Sequence, residues 1–179
     1  MLIRVLRYNS YLLLAMMLVC ATGCLGPKSK QKRQVALLRV HLEVFGDATG
    51  ANEPVSIGRA SPMTVVINKE PFLTEAEVMG ANVVEDAGGF TLQIQLDRRG
   101  TQLLEMYSAS NHGKHLAIFC QFGEKLSKAR WLTAPVISRR ISNGLLMFTP
   151  DADREEAAEI ALGLNNLARK TQPGFKGKK

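Results

Sequence analysis

The sequence is poor in cysteine, with 3 in 179 residues. Cys20 and Cys24 both lie within the first two dozen residues, and Cys120 stands alone within the apolar run Leu116–Cys120. The body of the chain therefore has no second cysteine for an internal disulfide, although an oxidising compartment would permit one. We expect Cys120 to be a buried strand residue rather than a reactive thiol.

The sequence also lacks the residue patterns with which enzymes work. It has no glycine-rich loop that opens a helix to hold phosphate, and no serine in the glycine-flanked turn of a hydrolase nucleophile. His112 and His115 have a spacing that can hold a metal, but no cysteine or acidic residue is close to them in sequence. We interpret them as ordinary turn histidines and expect a non-catalytic protein without a cofactor. Nothing in the sequence indicates a small-molecule substrate.

No apolar run at the start of the chain is long enough to cross a membrane. The uncharged segment Tyr11–Ala21 is about half the ~20 residues that a spanning helix needs. Two arginines precede it, and small residues lead from it to Cys24. This order of charged, apolar and small segments is typical of an export signal. The cysteine predicts a bacterial lipoprotein signal over residues 1–23, cut before Cys24, whose thiol then carries a lipid such as palmitate.

Two alternatives to this lipoprotein signal stay open, an ordinary cleaved signal and an uncleaved anchor. On the lipoprotein interpretation, we expect the mature protein to be exported and to be held by the lipid on Cys24. It would then lie on the periplasmic side of the inner or the outer membrane of a bacterium. Leu25 follows the cysteine, in place of the aspartate that is associated with inner-membrane retention in enteric bacteria.

Basic residues are few in the middle of the chain, although the formal net charge is +7 at pH 7. Between Gln34 and Ala168 there are 12 Lys and Arg residues against all 16 Asp and Glu residues. A nucleic-acid interface needs its positive charge on a folded face, so we expect none here. We predict a flexible basic tether over residues 24–34, one domain over residues 35–168 and a disordered basic tail over residues 169–179.

Alternating apolar and polar residues predict strands separated by polar loops. The strands are expected at Val35–Phe45, Met63–Ile67, Phe90–Leu96, Leu116–Phe122 and Leu145–Phe148. Loops are expected at Gly46–Pro54 and Gly123–Arg130. Charge pairs at Arg98–Arg99 and Arg139–Arg140 stand next to predicted strands and suit an acidic peptide or phosphate, although solvated strand ends are the commoner explanation.

Three segments predict helices. Thr74 and Glu77 have the spacing of a capping box, which predicts a short helix from Thr74 to near Gly80. A second helix is expected over Thr101–Ser110. The last helix begins with an acidic cap at Asp153 and has an apolar stripe, made of Ala157, Ile160, Ala161, Leu164 and Ala168. Strands interleaved with such helices predict an α+β fold, with an antiparallel sheet and helices on one face.

Five sequence blocks in a fixed order resemble one known family. They are Glu70–Thr74, Gly88–Phe119, Ala134–Ile137, Ile141–Gly144 and Asp153–Leu162. From about Pro54 to Leu167 the chain is similar to the first periplasmic domain of SecD, the membrane subunit that assists the Sec protein-export channel. The resemblance implies the ferredoxin-like βαββαβ head of that domain and a role in contacting emerging polypeptide. Since SecD continues into transmembrane helices that carry its proton-coupled residues, we expect here a head without that motor.

Two features are candidate partner-binding sites. Thr91, Gln93 and Gln95 form a wet, uncharged strand face suited to a polypeptide or an envelope protein, and sheet edges are suited to strand addition. Trp131, the only tryptophan, either anchors a partner from the Lys125–Trp131 loop or lies in the core beneath it. We therefore expect a lipoprotein that binds polypeptide or an envelope partner, with Sec components among its candidate partners. The alternative is an assembly lipoprotein dedicated to one envelope partner and unrelated to secretion.

Overall fold

A computed structural model of the chain describes residues 34–45, 50–86 and 88–171. Within these ranges the strands are β1 Leu37–Leu42, β2 Asn52–Ile57, β3 Met63–Asn68, β4 Leu73–Thr74, β5 Val78–Asp86, β6 Gly89–Leu96, β7 Leu116–Phe122, β8 Lys128–Thr133 and β9 Leu145–Phe148. The helices are α1 Arg98–Ser110 and α2 Arg154–Thr171, with 3-10 turns at Glu75–Glu77 and Glu124–Leu126. The predicted signal peptide, Cys24, nearly all of the tether and residues 172–179 of the tail lie outside the described residues.

The described strands form three antiparallel sheets. The larger sheet has the order β4-β1-β7-β8, a three-stranded sheet has the order β5-β6-β9, and β2 pairs with β3 in a hairpin. The α+β class with antiparallel sheets, predicted from the alternation of apolar residues, is confirmed. Among the described residues, no helix has the length and apolar character that a membrane crossing requires.

One main core joins the two larger sheets to the two helices. On β6 the side chains of Leu92, Ile94 and Leu96 are buried, as the alternation predicts. The stripe predicted on α2 is buried along its whole length, from Ala157 to Ala168. Each fully buried leucine or isoleucine contributes about 1.5–3 kcal/mol relative to leaving it in water, so this core dominates the stability of the domain.

The start of the domain is attached to its last helix. At Gly163 of α2 a Cβ atom would lie 2.6 Å from the backbone nitrogen of Ala36, so only glycine lets the two backbones approach this closely. The side-chain amide of Asn166 donates to the carbonyl of Gln34 over 2.9 Å. The chain therefore enters the described domain alongside α2.

A second, smaller core lies where the β2–β3 hairpin packs against the larger sheet. It contains Ile57, Val65 and Ile67 of the hairpin with Ala117 of β7. Its existence explains why His41, which alternation places on the polar side of β1, is only 6% exposed. The hairpin covers that side of the sheet.

The predicted loop at Gly46–Pro54 is wrong at its end, because β2 begins at Asn52. Pro54 lies opposite Val66 in this strand. Proline cannot donate a backbone hydrogen bond, so it normally counts against a strand. It is tolerated here because β2 pairs with β3 alone and is an edge strand.

The predicted loop at Gly123–Arg130 is also wrong, since β8 begins at Lys128 and forms a hairpin with β7. Its polar residues are explained by the neighbouring helix. Lys128 lies 3.2 Å from Glu156 and 3.5 Å from Glu159 of α2, and Arg130 pairs with Glu156 as well. These contacts come from residues distant in sequence, which local polarity does not reveal.

Two helix boundaries differ from the predictions. The capping box at Thr74 is confirmed, with the Thr74 backbone N–H donating to Glu77 over 3.0 Å, but it starts a 3-10 turn and β5 follows at Val78. Helix α1 begins at Arg98 rather than Thr101, because the Asp97 carboxylate accepts from the N–H of Gly100 over 2.7 Å.

Candidate protein-binding surface

One side of the three-stranded sheet faces away from the main core. We call it the open face; it consists of Asn82 and Val84 of β5, Thr91, Gln93 and Gln95 of β6, and Leu145 and Met147 of β9. The register places Asn82, Gln93 and Met147 side by side, with Gln93 in the middle strand. None of these side chains carries charge. The wet, uncharged character predicted for this side of β6 therefore extends over three strands.

The open face mixes apolar and polar groups. Met147 is 52% exposed and Val84 is 36% exposed. The side chains of Thr91 and Gln93 have no hydrogen-bond partner among the described residues. Free amide and hydroxyl groups beside apolar side chains can contact a polypeptide through both its backbone and its side chains.

Gln95 differs from its two neighbours on β6. Its amide nitrogen donates to the carbonyl of Leu96 over 3.2 Å and to that of Gly144 over 3.4 Å. Gly144 has a positive φ of 68°, in the turn that leads into β9. The Gln95 side chain therefore stabilises this turn, and Thr91 and Gln93 are the better candidates for contact with a partner.

Trp131 is not brought into the open face. It lies on β8, opposite Phe119 of β7, and is partly buried in the second core. Its ring lies 5.1 Å from that of Phe119 and 5.3 Å from that of His41. These contacts favour the core interpretation of Trp131 over that of an exposed anchor.

Sequence reasoning missed a cleft between β9 and the segment 135–143, which we call the strap. The cleft encloses about 470 Å³. Backbone hydrogen bonds from Leu116 to Pro135 (2.9 Å) and from Ile137 to Lys114 (2.8 Å) hold the start of the strap against β7. The pair Arg139–Arg140 is the only part of the cleft that the sequence singled out as a candidate for binding. The sequence does not show that this pair lies beside β9, because the fold brings the two segments together.

The cysteine and histidine side chains that the sequence offered for catalysis or metal binding have structural surroundings. Burial raises the pKa of Cys120 to about 12, so its thiol does not ionise readily. Burial raises the pKa of Glu43, but hydrogen bonds from His115 (2.7 Å from its Nδ1) outweigh this effect and lower that pKa overall. His112 bonds instead to the carbonyl of Ser138 over 2.7 Å. The described residues contain no group of three or more side chains placed to hold a metal.

The fold and the open face define an α+β domain with a surface suited to binding. The sequence model of the SecDF P1 head subdomain matches residues 51–168 of this chain. The chain therefore belongs to the SecDF P1 head subdomain family, which confirms the resemblance drawn from its five sequence blocks. The predicted extent of that resemblance, Pro54 to Leu167, agrees closely with the match.

Solved structures show the same fold. A structure described as a membrane component SecDF that enhances protein export is 22% identical, with a TM-score of 0.55 over 80% of this chain and 70% of that one. A crystal structure of SecDF in a super-membrane-facing form is 23% identical, with a TM-score of 0.54. That match covers 79% of this chain but only 21% of the SecDF chain. No curated protein sequence matches the chain.

Proposed function

We propose that this protein is a non-catalytic lipoprotein whose head domain binds segments of polypeptide outside the cell membrane and thereby supports protein export. The observation that carries the proposal is the family match over residues 51–168. A SecDF of similar fold is described as enhancing protein export. We extend that role to this chain as far as the head domain can perform it, which is contact with polypeptide rather than proton-driven motion.

The chemistry of the open face supports polypeptide binding without strong sequence preference. Gln93 presents two donors and an acceptor, and Thr91 presents a hydroxyl. Met147, beside Gln93, has an unbranched and polarisable side chain that adapts to differently shaped apolar groups. A surface without charge accepts acidic and basic segments equally, which suits a protein that meets many exported chains.

We further propose that a lipid on Cys24 keeps the domain at the membrane surface. The described chain begins beside α2, at Gln34, so the segment 24–34 separates the lipid from the domain. If this segment is the flexible tether that its composition predicts, its ten or so residues would reach roughly 15–20 Å and would keep the domain close to the bilayer. Labelling of cells with radioactive palmitate should mark the wild-type protein and leave Cys24→Ser unmarked. Equal labelling of both proteins would refute lipidation at this cysteine.

The binding role is best tested by photo-crosslinking in living cells. A photoreactive amino acid replaces Gln93 on the open face or, as the matched control, Met106 on α1, which is 55% exposed. We expect the Gln93 position to capture many different exported polypeptides, along with Sec components, and the Met106 position to capture few. A single stoichiometric envelope protein at Gln93 would instead support the alternative of a dedicated assembly lipoprotein. Equal, weak capture at both positions would refute a binding role for the open face.

A further inference from the structure

We propose that the cleft between β9 and the strap binds an extended polypeptide segment that carries an acidic side chain, by adding it as a strand to the free edge of β9. This proposal rests on the proposed function, since it names a second contact site for the polypeptide and the kind of segment that fits. It differs from the open face in two respects, because the edge offers backbone hydrogen bonds and the cleft is charged.

The free edge follows from the register of β9. The N–H of Leu96 donates to the carbonyl of Gly144 over 2.9 Å, so this pair is hydrogen-bonded. In an antiparallel ladder such pairs alternate with pairs whose backbone groups point outward. Leu145 and Met147, which lie opposite Gln95 and Gln93, are therefore the residues whose N–H and C=O groups point away from β6.

These outward groups are largely without partners. The N–H of Leu145 donates to the side chain of Asn143 over 3.1 Å. For the N–H and C=O of Met147, the described residues provide no partner. An added strand would pair with Met147 as β6 pairs with Leu146, so the backbone of the incoming segment supplies the missing hydrogen bonds.

The cleft beside this edge has room and apolar contact points for the incoming segment. Its volume is about 470 Å³, and Leu145, Leu146 and Met147 line one side of it. Met147 is 52% exposed, and Val136 of the strap, on the other side, is 53% exposed. Side chains of an added strand alternate between two faces, so apolar residues at every second position can reach such contacts.

The charge of the cleft determines which segment fits best. Arg139 and Arg140 are the charged residues that line it. Arg140 pairs with Glu105 of α1, whereas Arg139 is exposed and has no ion-pair partner among the described residues. A carboxylate on the incoming segment would pair with Arg139, and a guanidinium binds a carboxylate through two parallel hydrogen bonds.

Fluorescence polarisation on the full chain in detergent tests the edge. The probe is a labelled eight-residue peptide of alternating valine and threonine with one central aspartate, and its control has lysine in that place. Met147→Pro removes the outward N–H at an edge position that tolerates proline, whereas Met147→Ala keeps it. We expect Met147→Pro to weaken binding of the aspartate peptide about tenfold more than Met147→Ala does. Equal binding by the two variants would overturn strand addition.

The charge is tested separately, with a variant that leaves the backbone intact. The wild type should bind the aspartate peptide about fivefold tighter than the lysine peptide, and Arg139→Glu should reverse this preference. If Arg139→Glu still prefers the aspartate peptide to the same extent, the specificity for an acidic segment is overturned. This test does not depend on whether Met147→Pro folds. In cells, a photoreactive residue at Val136 of the strap that captures no polypeptide, while the one at Gln93 still captures many, would overturn the cleft and leave the proposed function standing. Absence of capture at both positions would overturn both proposals.

Discussion

The two larger sheets of this protein are built alike but are covered differently. Both have strands that bury one face in the main core, such as β6 in the three-stranded sheet and β7 in the four-stranded sheet. The other face of β7 is covered by the β2–β3 hairpin, which buries Ala117 and partly buries Trp131. The corresponding face of β6 is only partly buried and carries Thr91 and Gln93. The comparison shows that the outer face of a sheet stays accessible to a partner only where no other element of the fold covers it.

The largest effect is expected from a substitution on the core side of β6, compared with one on its open face. Ile94 is 0% exposed on the core side of β6, and its neighbour Gln93 lies on the open face. We expect Ile94→Ala to lower the free energy of unfolding by about 4 kcal/mol, because it removes apolar burial and leaves a cavity. Gln93→Ala should change it by less than about 0.5 kcal/mol. Urea unfolding of both variants provides the measurement, and similar losses would contradict the assignment of the two faces.

Substitutions in β3 test whether the β2–β3 hairpin shields the outer face of the four-stranded sheet. Ile67 of β3 is 0% exposed in the second core, whereas Met63 of the same strand is 39% exposed. We expect Ile67→Ala to cost about 3 kcal/mol and Met63→Ala well under 1 kcal/mol. Because Trp131 packs in the same cluster, its fluorescence should shift to longer wavelength in Ile67→Ala alone. An unshifted emission would show that the hairpin does not shield Trp131.

The covered face should also depend on pH in a way that the open face does not. Burial lowers the pKa of His41 below its ordinary value of 6.5, against the raising effect of its hydrogen bond to the Asn68 carbonyl (2.8 Å). The unfolded chain therefore binds the proton more readily, and His41 makes unfolding easier as the pH falls below about 6.5. Arg39 lowers this pKa as well, and Glu53 raises it.

The contribution of His41 is obtained by comparing the pH dependence of stability in the wild type with that in a variant without this histidine. Thermal unfolding of the wild type and of His41→Gln is measured from about pH 7.5 to about pH 5, a range that brackets the ordinary histidine pKa. We expect the wild type to lose more stability over this range, since carboxylates contribute equally to both proteins. Parallel curves would mean that His41 takes up a proton as easily in the fold as in the unfolded chain.

The smallest effect distinguishes residues within the open face. Gln95→Ala removes the donor to the carbonyls of Leu96 and Gly144 and should cost about 1 kcal/mol. Gln93→Ala removes no hydrogen bond among the described residues and should leave stability unchanged while lowering polypeptide capture. A stability loss of the same size in Gln93→Ala would contradict the different roles that the hydrogen bonds assign to the two glutamines.

The fold was predictable where local pattern and burial agree. The alternation over Phe90–Leu96 and the stripe on α2 each predicted a buried face, and both faces are buried. The prediction failed at β2 and β8, whose polar or proline-containing sequences look like loops. Both are edge strands, so they need hydrogen bonds on one side only. Local composition does not report whether a partner strand from elsewhere in the chain provides them.

The sequence by itself determined the α+β class, the inner faces of the main strands and helices, the uncharged side of β6 and the family. These depend on apolar residues that recur every two residues along a strand or about every 3.6 residues along a helix, and this recurrence is a local property of the chain. Only the tertiary structure decided that Trp131 is partly buried, that Gln95 holds a turn, and that β9 has a free edge beside Arg139. These depend on which distant segments meet, and long-range packing rather than local periodicity decides that.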